Sequence, residues 1–139
     1  MKRRVLLSAV IGAAAVLLAS CDGTTTTSPT SPAGSGQETF VGQVAVGGSA
    51  SRTIVASGAG EIALTLSAAG PPSDIALWLG IGIPAANNVG CHQTRSVLVS
   101  AAATPHLVAT VDGGTYCVRV SDAGTMTGAV AFTVLISHP

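Results

Sequence analysis

Cysteine, histidine, serine and carboxylate side chains are the groups through which this sequence could do chemistry. Serine, histidine and aspartate all occur, but no Gly-x-Ser-x-Gly turn presents a serine nucleophile. Gly80-Ile81-Gly82-Ile83-Pro84-Ala85 opens like a phosphate-binding loop. It lacks a third glycine, carries a proline and leads into no helical pattern, so no row of backbone N–H groups is set up for a phosphate. The carboxylates are scattered, mostly beside glycines or at strand starts, where turn chemistry accounts for them. Asp74, Asp112 and Asp122 are the candidates for a loop calcium site, but no Asp-x-Asp-x-Asp run gathers them. Cys91-His92 and Cys117, with His106 or His138, are candidate soft-metal ligands. No Cys-x-x-Cys or His-x-x-x-His spacing assembles them. The pattern predicts no catalytic site, no metal and no cofactor.

The amino terminus carries a different kind of signal. Lys2-Arg3-Arg4 is a basic start, and Val5 to Leu18 is apolar apart from Ser8 and Gly12. The apolar run falls short of the ~20 residues that span a bilayer as a helix, which favours a cleaved export signal. Leu18-Ala19-Ser20-Cys21 then resembles the lipobox of bacterial lipoproteins. The resemblance implies that the thiol of Cys21 takes a diacylglycerol, that residues 1–20 are removed as a signal peptide, and that Cys21 becomes the acylated first residue. Two or three acyl chains hold a protein to a membrane firmly, where one binds only marginally. The expected place is the cell envelope, outside the cytoplasm; inner and outer membrane remain open alternatives.

With Cys21 assigned to lipid, Cys91 and Cys117 remain. Export brings them into an oxidising compartment, where a lone pair of cysteines is most simply a disulfide. Cys91 lies in the loop region Pro84 to Thr94, and Cys117 lies in a strand on the parity of Arg119, away from the core. The bond is expected to staple the loop to the outer face or edge of the domain.

Residues 22–37, rich in Thr, Ser, Pro and Gly, hold no large apolar side chain. They cannot bury enough surface to offset the entropy of ordering and read, with Cys21, as a flexible linker over 21–37. From Cys21 onward three arginines, Arg52, Arg95 and Arg119, face six carboxylates, a net charge of −3 with histidines neutral and no lysine. Such a chain is a poor binder of nucleic acid, whose affinity depends on neutralising phosphates.

Residues 38–139 must supply the folded body. Strand-length apolar segments run Thr39 to Val46, Arg52 to Ser57, Glu61 to Ser67, Ile75 to Ile81, Arg95 to Ala101, Leu107 to Val111, Thr115 to Ser121 and Ala129 to Ser137. Several alternate strictly: Ile62, Leu64 and Leu66 share one face, as do Tyr116, Val118 and Val120, and Phe132, Val134 and Ile136. Glycine and proline turns separate them, and Asp112-Gly113-Gly114 is the strongest local hairpin signal. Seven or eight short strands at this spacing predict an all-β domain, an antiparallel, jelly-roll-like β-sandwich. Its core is expected to rest on Val, Ile and Leu with Phe40, Trp78, Tyr116 and Phe132. Trp78 reads as a packing residue rather than a ligand-stacking one.

Phe40-Val41-Gly42, Gly60-Glu61-Ile62-Ala63-Leu64-Thr65-Leu66, Ala76-Leu77-Trp78-Leu79, Gly113-Gly114-Thr115-Tyr116-Cys117-Val118-Arg119-Val120 and Phe132-Thr133-Val134 together resemble the bacterial pre-peptidase C-terminal (PPC) family. The resemblance implies a β-sandwich that serves secreted enzymes as a non-catalytic appendage, in places through substrate adhesion or calcium. The acidic calcium cluster of its collagen-binding relatives is not evident here.

Two functions stand against each other. One is a non-catalytic module that binds envelope protein or glycan through a sheet face or loops, and it requires an exposed apolar or aromatic patch. The other is a structural envelope lipoprotein or assembly partner with no specific small ligand. An enzyme would need a cleft with converging titratable groups. The lipobox makes a direct prediction: Cys21→Ser moves the protein from the membrane fraction to the soluble one. A variant that still sediments with membranes would refute anchoring through that thiol.

Overall fold

The computed structural model describes residues 36–87 and 89–139. Cys21, the export segment and most of the linker lie outside the described residues. Eight strands follow one another: β1 (Gly36–Val44), β2 (Ser49–Ala56), β3 (Gly60–Gly70), β4 (Leu77–Pro84), β5 (Cys91–Val99), β6 (Leu107–Val111), β7 (Gly114–Asp122) and β8 (Val130–His138). They form two four-stranded antiparallel sheets, ordered β1-β8-β3-β6 and β2-β7-β4-β5. This is the jelly-roll order. Strands β4 and β5 make a hairpin, and the pairs β3/β6, β2/β7 and β1/β8 nest around it. Among the described residues no helix is long and apolar enough to cross a membrane.

The sheets form because alternation gives nearly every strand one apolar face. Ile62, Leu64 and Leu66 of β3, Val130, Phe132, Val134 and Ile136 of β8, and Phe40 and Val44 of β1 line one inner face. Ile54 of β2, Val118 and Val120 of β7, and Leu77, Leu79 and Ile81 of β4 line the other. Phe40 and Phe132 meet edge to face, with ring centroids 4.9 Å apart, the geometry aromatic quadrupoles favour. The Phe132 ring also lies over Gly42, its cross-strand partner, where a Cβ would stand 2.7 Å from the ring.

Where boundaries differ from the sequence reading, main-chain pairing is the reason. Gly36 and Gln37, which composition assigns to the linker, extend β1 by pairing with His138 and Ser137. Cys91 opens β5 instead of lying in a loop. Asp112-Gly113-Gly114 is not a hairpin turn: it carries the chain from β6 in one sheet to β7 in the other. Glycine there permits the turn without choosing the partner. The Tyr116 hydroxyl, donating 3.0 Å to the Asp112 carbonyl, ties that corner.

Each open side of the sandwich is bridged by an arginine. On one side Arg52 of β2 donates through Nη1 to the Thr39 carbonyl of β1 at 3.1 Å and pairs through Nη2 with Glu38 at 2.9 Å. On the other, Arg95 of β5 donates to the Val108 carbonyl of β6 at 3.0 Å. Both occupy unpaired backbone acceptors on edge strands, which discourages edge-to-edge association. Strand β6 covers β3 only as far as Leu64. Beyond it, Nδ1 of His106 accepts from the Leu66 amide at 3.1 Å, and Nε2 lies 3.0 Å from the Ser100 carbonyl. Both bonds are satisfied by the neutral ring with its proton on Nε2.

Candidate functional site

The residues that the sequence offers for chemistry are not drawn together. Asp74 and Asp112 sit in the β3–β4 and β6–β7 connections and Asp122 ends β7, and among the described residues no cluster of three His, Cys, Asp or Glu side chains could hold a metal ion. Asp122 is committed to the backbone. One carboxylate oxygen accepts from Gly47 at 2.7 Å, and the other accepts from Gly124 at 2.7 Å and from Met126 at 3.4 Å. It thus ties the β1–β2 turn to the β7–β8 connection. These N–H groups, with that of Gly47 foremost, hold its carboxyl below the ordinary aspartate range. His106 is bound into the β5–β6 connection, and His138 lies 3.3 Å from Glu38 at the end of β8.

Cys91 and Cys117 are joined in a disulfide, with Cα atoms 5.7 Å apart. The bond connects β5 to β7 across β4, which lies between them. Two strand spacings in a flat sheet would separate them by about 9.5 Å. The start of β5 therefore folds over the outside of β4. A bulge makes this turn: Ile81 faces Arg95 and Gly82 faces Gln93, leaving Thr94 extra. Glycine makes the room, since a Cβ on Gly82 would collide with the His92 carbonyl and stand 2.7 Å from the Gln93 Cα. A Cβ on Gly80 would run into the Gln93 amide and stand 2.8 Å from the Arg95 carbonyl. The Gly80-Ile81-Gly82 run is thus a strand whose bare outer face accepts a crossing neighbour.

That outer face of the β2-β7-β4-β5 sheet holds the most distinctive constellation in the domain. Trp78 points outward from β4 and is 39% exposed. This corrects the expectation that it belongs to the core. Strand β4 is internal, but its second face meets solvent at Trp78. Across β7, Trp78 pairs with Ser121 and Gly80 with Arg119; on the β5 side, Trp78 pairs with Leu98 and Gly80 with Ser96. Ser49, Ser51 and Thr53 of β2 continue the face beyond β7. No carboxylate stands among these outward positions.

Arg119 differs from the other two arginines. It has no hydrogen-bond or ion-pair partner among the described residues, and its Nε is buried. The Nε2 of Gln93, on the other side of Gly80, is likewise buried and unpaired. Buried donors of this kind are rare in folded proteins, because each has lost its water without gaining an acceptor. Sequence reasoning missed both residues. The available signal was an arginine at outward parity in a strand with no acid to pair with.

Comparison with protein families and with curated proteins finds no match to this chain.

Two expectations follow from this geometry. The disulfide closes a loop of 26 residues, so Cys117→Ala in the oxidised protein should lower unfolding free energy by about 3 kcal/mol. Denaturant curves that superimpose for variant and parent would contradict it. The depressed carboxyl of Asp122 stabilises the fold fully above the ordinary aspartate pKa of about 3.9, and that contribution is lost as pH falls through the lower native value. Asp122→Asn would turn an amide NH2 toward an N–H donor. Its melting temperature should therefore lie below the parent's at neutral pH, with the gap narrowing toward about pH 2 as the parent protonates.

Proposed function

We propose that this protein is an exported lipoprotein, held at a membrane of the cell envelope through Cys21, whose non-catalytic β-sandwich binds glycan or protein. The single observation that carries the binding part is the outer face of the β2-β7-β4-β5 sheet. There an exposed indole and a guanidinium without a partner stand among serines, beside the Gln93 amide that lies over Gly80. A side chain as large as Trp78 left half in water at the middle of a sheet contributes little to the core, whereas an aromatic surface presented this way suits ligand contact.

The anchor and the linker of residues 21–37 would carry this sandwich away from the bilayer surface. The resemblance of segments in β1, β3, β4, β7 and β8 to PPC sequences supports a role as an adhesive accessory domain. Fold alone carries function weakly, so the face is the stronger support.

The test is a panel of envelope glycans and secreted proteins presented to the purified mature protein. Saturable binding, lost on substituting outward residues of this face and kept on substituting Val41 and Leu135 of the opposite sheet, is the expected result. No binding across the panel would instead favour a structural lipoprotein.

A further inference from the structure

We infer that the outer face centred on Trp78, Gly80 and Arg119 is a binding site for a carboxylate-bearing sugar, a uronic-acid residue of a polysaccharide. The inference rests on the reading that this face binds a ligand, and it names the ligand's class.

The first part of the argument concerns shape. Strands β7 and β4 are internal and hydrogen-bonded on both sides. A peptide cannot add to them by main-chain pairing, which is how extended peptides dock on sheets. The ligand must lie flat on side chains. Trp78 offers a broad apolar surface, and the space left by the missing Cβ of neighbouring Gly80 is taken by the Gln93 amide. A pyranose ring has one apolar C–H face and a rim of hydroxyls. Its face suits the indole, and its rim suits Ser96 and Ser121, which flank the Trp78–Gly80 pair on β5 and β7, with Ser51 beyond Arg119 on β2.

The second part concerns charge. Arg119 is the diagonal neighbour of Trp78, a separation of about 7–8 Å between backbones, within reach of long side chains. The buried unpaired atoms on either side of Gly80, Nε of Arg119 and Nε2 of Gln93, are both donors. Neither atom is open to solvent, so a ligand on this face would meet the guanidinium at its terminal Nη groups, which have no acceptor among the described residues and suit a carboxylate through two parallel N–H···O bonds. The outward positions of the sheet hold no acid to compete for it. Arg52 and Arg95 are spent on carbonyls at the sandwich edges. Arg119 is the cation left over, in a domain otherwise acidic.

Trp78 is the chain's one tryptophan, so its fluorescence reports this face directly. The mature protein is titrated with trigalacturonate and with a glucuronate-bearing hyaluronan tetrasaccharide, against neutral galactotriose. A saturable fluorescence change with a uronate probe and none with galactotriose is expected. Arg119→Lys keeps the charge but loses the fork, and should weaken uronate binding by roughly tenfold or more. Its melting temperature should match the parent's, because the Nε of Arg119 has no bond to lose. Trp78→Ala, followed by calorimetry, should abolish binding.

Equal response to galactotriose, or uronate binding indifferent to Arg119→Lys, would overturn the inference. So would a concentration-dependent blue shift of Trp78 without sugar alongside a dimeric mass, which would mean that a second copy covers this face. Glycan or protein binding that leaves Trp78 unperturbed would overturn the site while sparing envelope binding as such. Absence of binding to every partner tried would sink both.

Discussion

The whole arrangement depends on two apolar sheet faces excluding water from one another. The two inner faces are built of Val, Ile and Leu, with two phenylalanines on the β1-β8-β3-β6 side and few other large side chains, so burial must be nearly complete to hold a domain of this size. Alternation then has a consequence beyond stability. A strand that spends one parity on the core leaves the other parity free, and residues on that outer side can be chosen for contact with something else. Trp78 and Arg119 each stand one residue from core members, Leu77 and Leu79 for the first, Val118 and Val120 for the second. The rigidity of the core is what would hold an indole and a guanidinium at fixed spacing.

The cations show how few charges such a domain can use. Arg52 and Arg95 bridge the two open sides of the sandwich, each reaching a carbonyl of the facing edge strand. Exposed ion pairs such as Arg52–Glu38 contribute little to stability. Occupying edge acceptors matters more for keeping the molecule from associating through its edges. Arg119 has no such task. Its isolation marks the face as clearly as the exposed tryptophan does.

The glycines of β4 connect the disulfide to this face. Folding the start of β5 over Gly82 brings Cys91 to Cys117 and lays Gln93 over Gly80. The cross-link therefore holds in place one of the two unpaired donors, so the covalent staple and the candidate site share a strand. Asp122 plays a comparable part at another turn, where a carboxylate fastens together two connections that each cross between the sheets.

Much of this was open to a reader of the sequence. Period-two patterns in Ile62-Ala63-Leu64-Thr65-Leu66 and in Phe132 through Ile136 specify strands and their inner faces, because side-chain direction along a strand is a local property. The same patterns, with glycine turns between them, imply a sandwich, and the reading of an export signal implies that the two remaining cysteines pair. Partner choice is not local. Asp112-Gly113-Gly114 reads like a hairpin turn yet joins two sheets, and the strand read over Ile75 to Ile81 runs on through Gly82 to Pro84, where another strand crosses it. Trp78 reads as core from its apolar neighbours, and only the tertiary structure shows that the strand crossing the outside of β4 covers Gly80 and Gly82 but leaves the indole exposed. Whether an outward residue meets solvent, a crossing strand or an opposing charge depends on chain segments dozens of residues away. That is why strand positions were legible in the sequence while the composition of the outer face emerged only once the sheets were assembled.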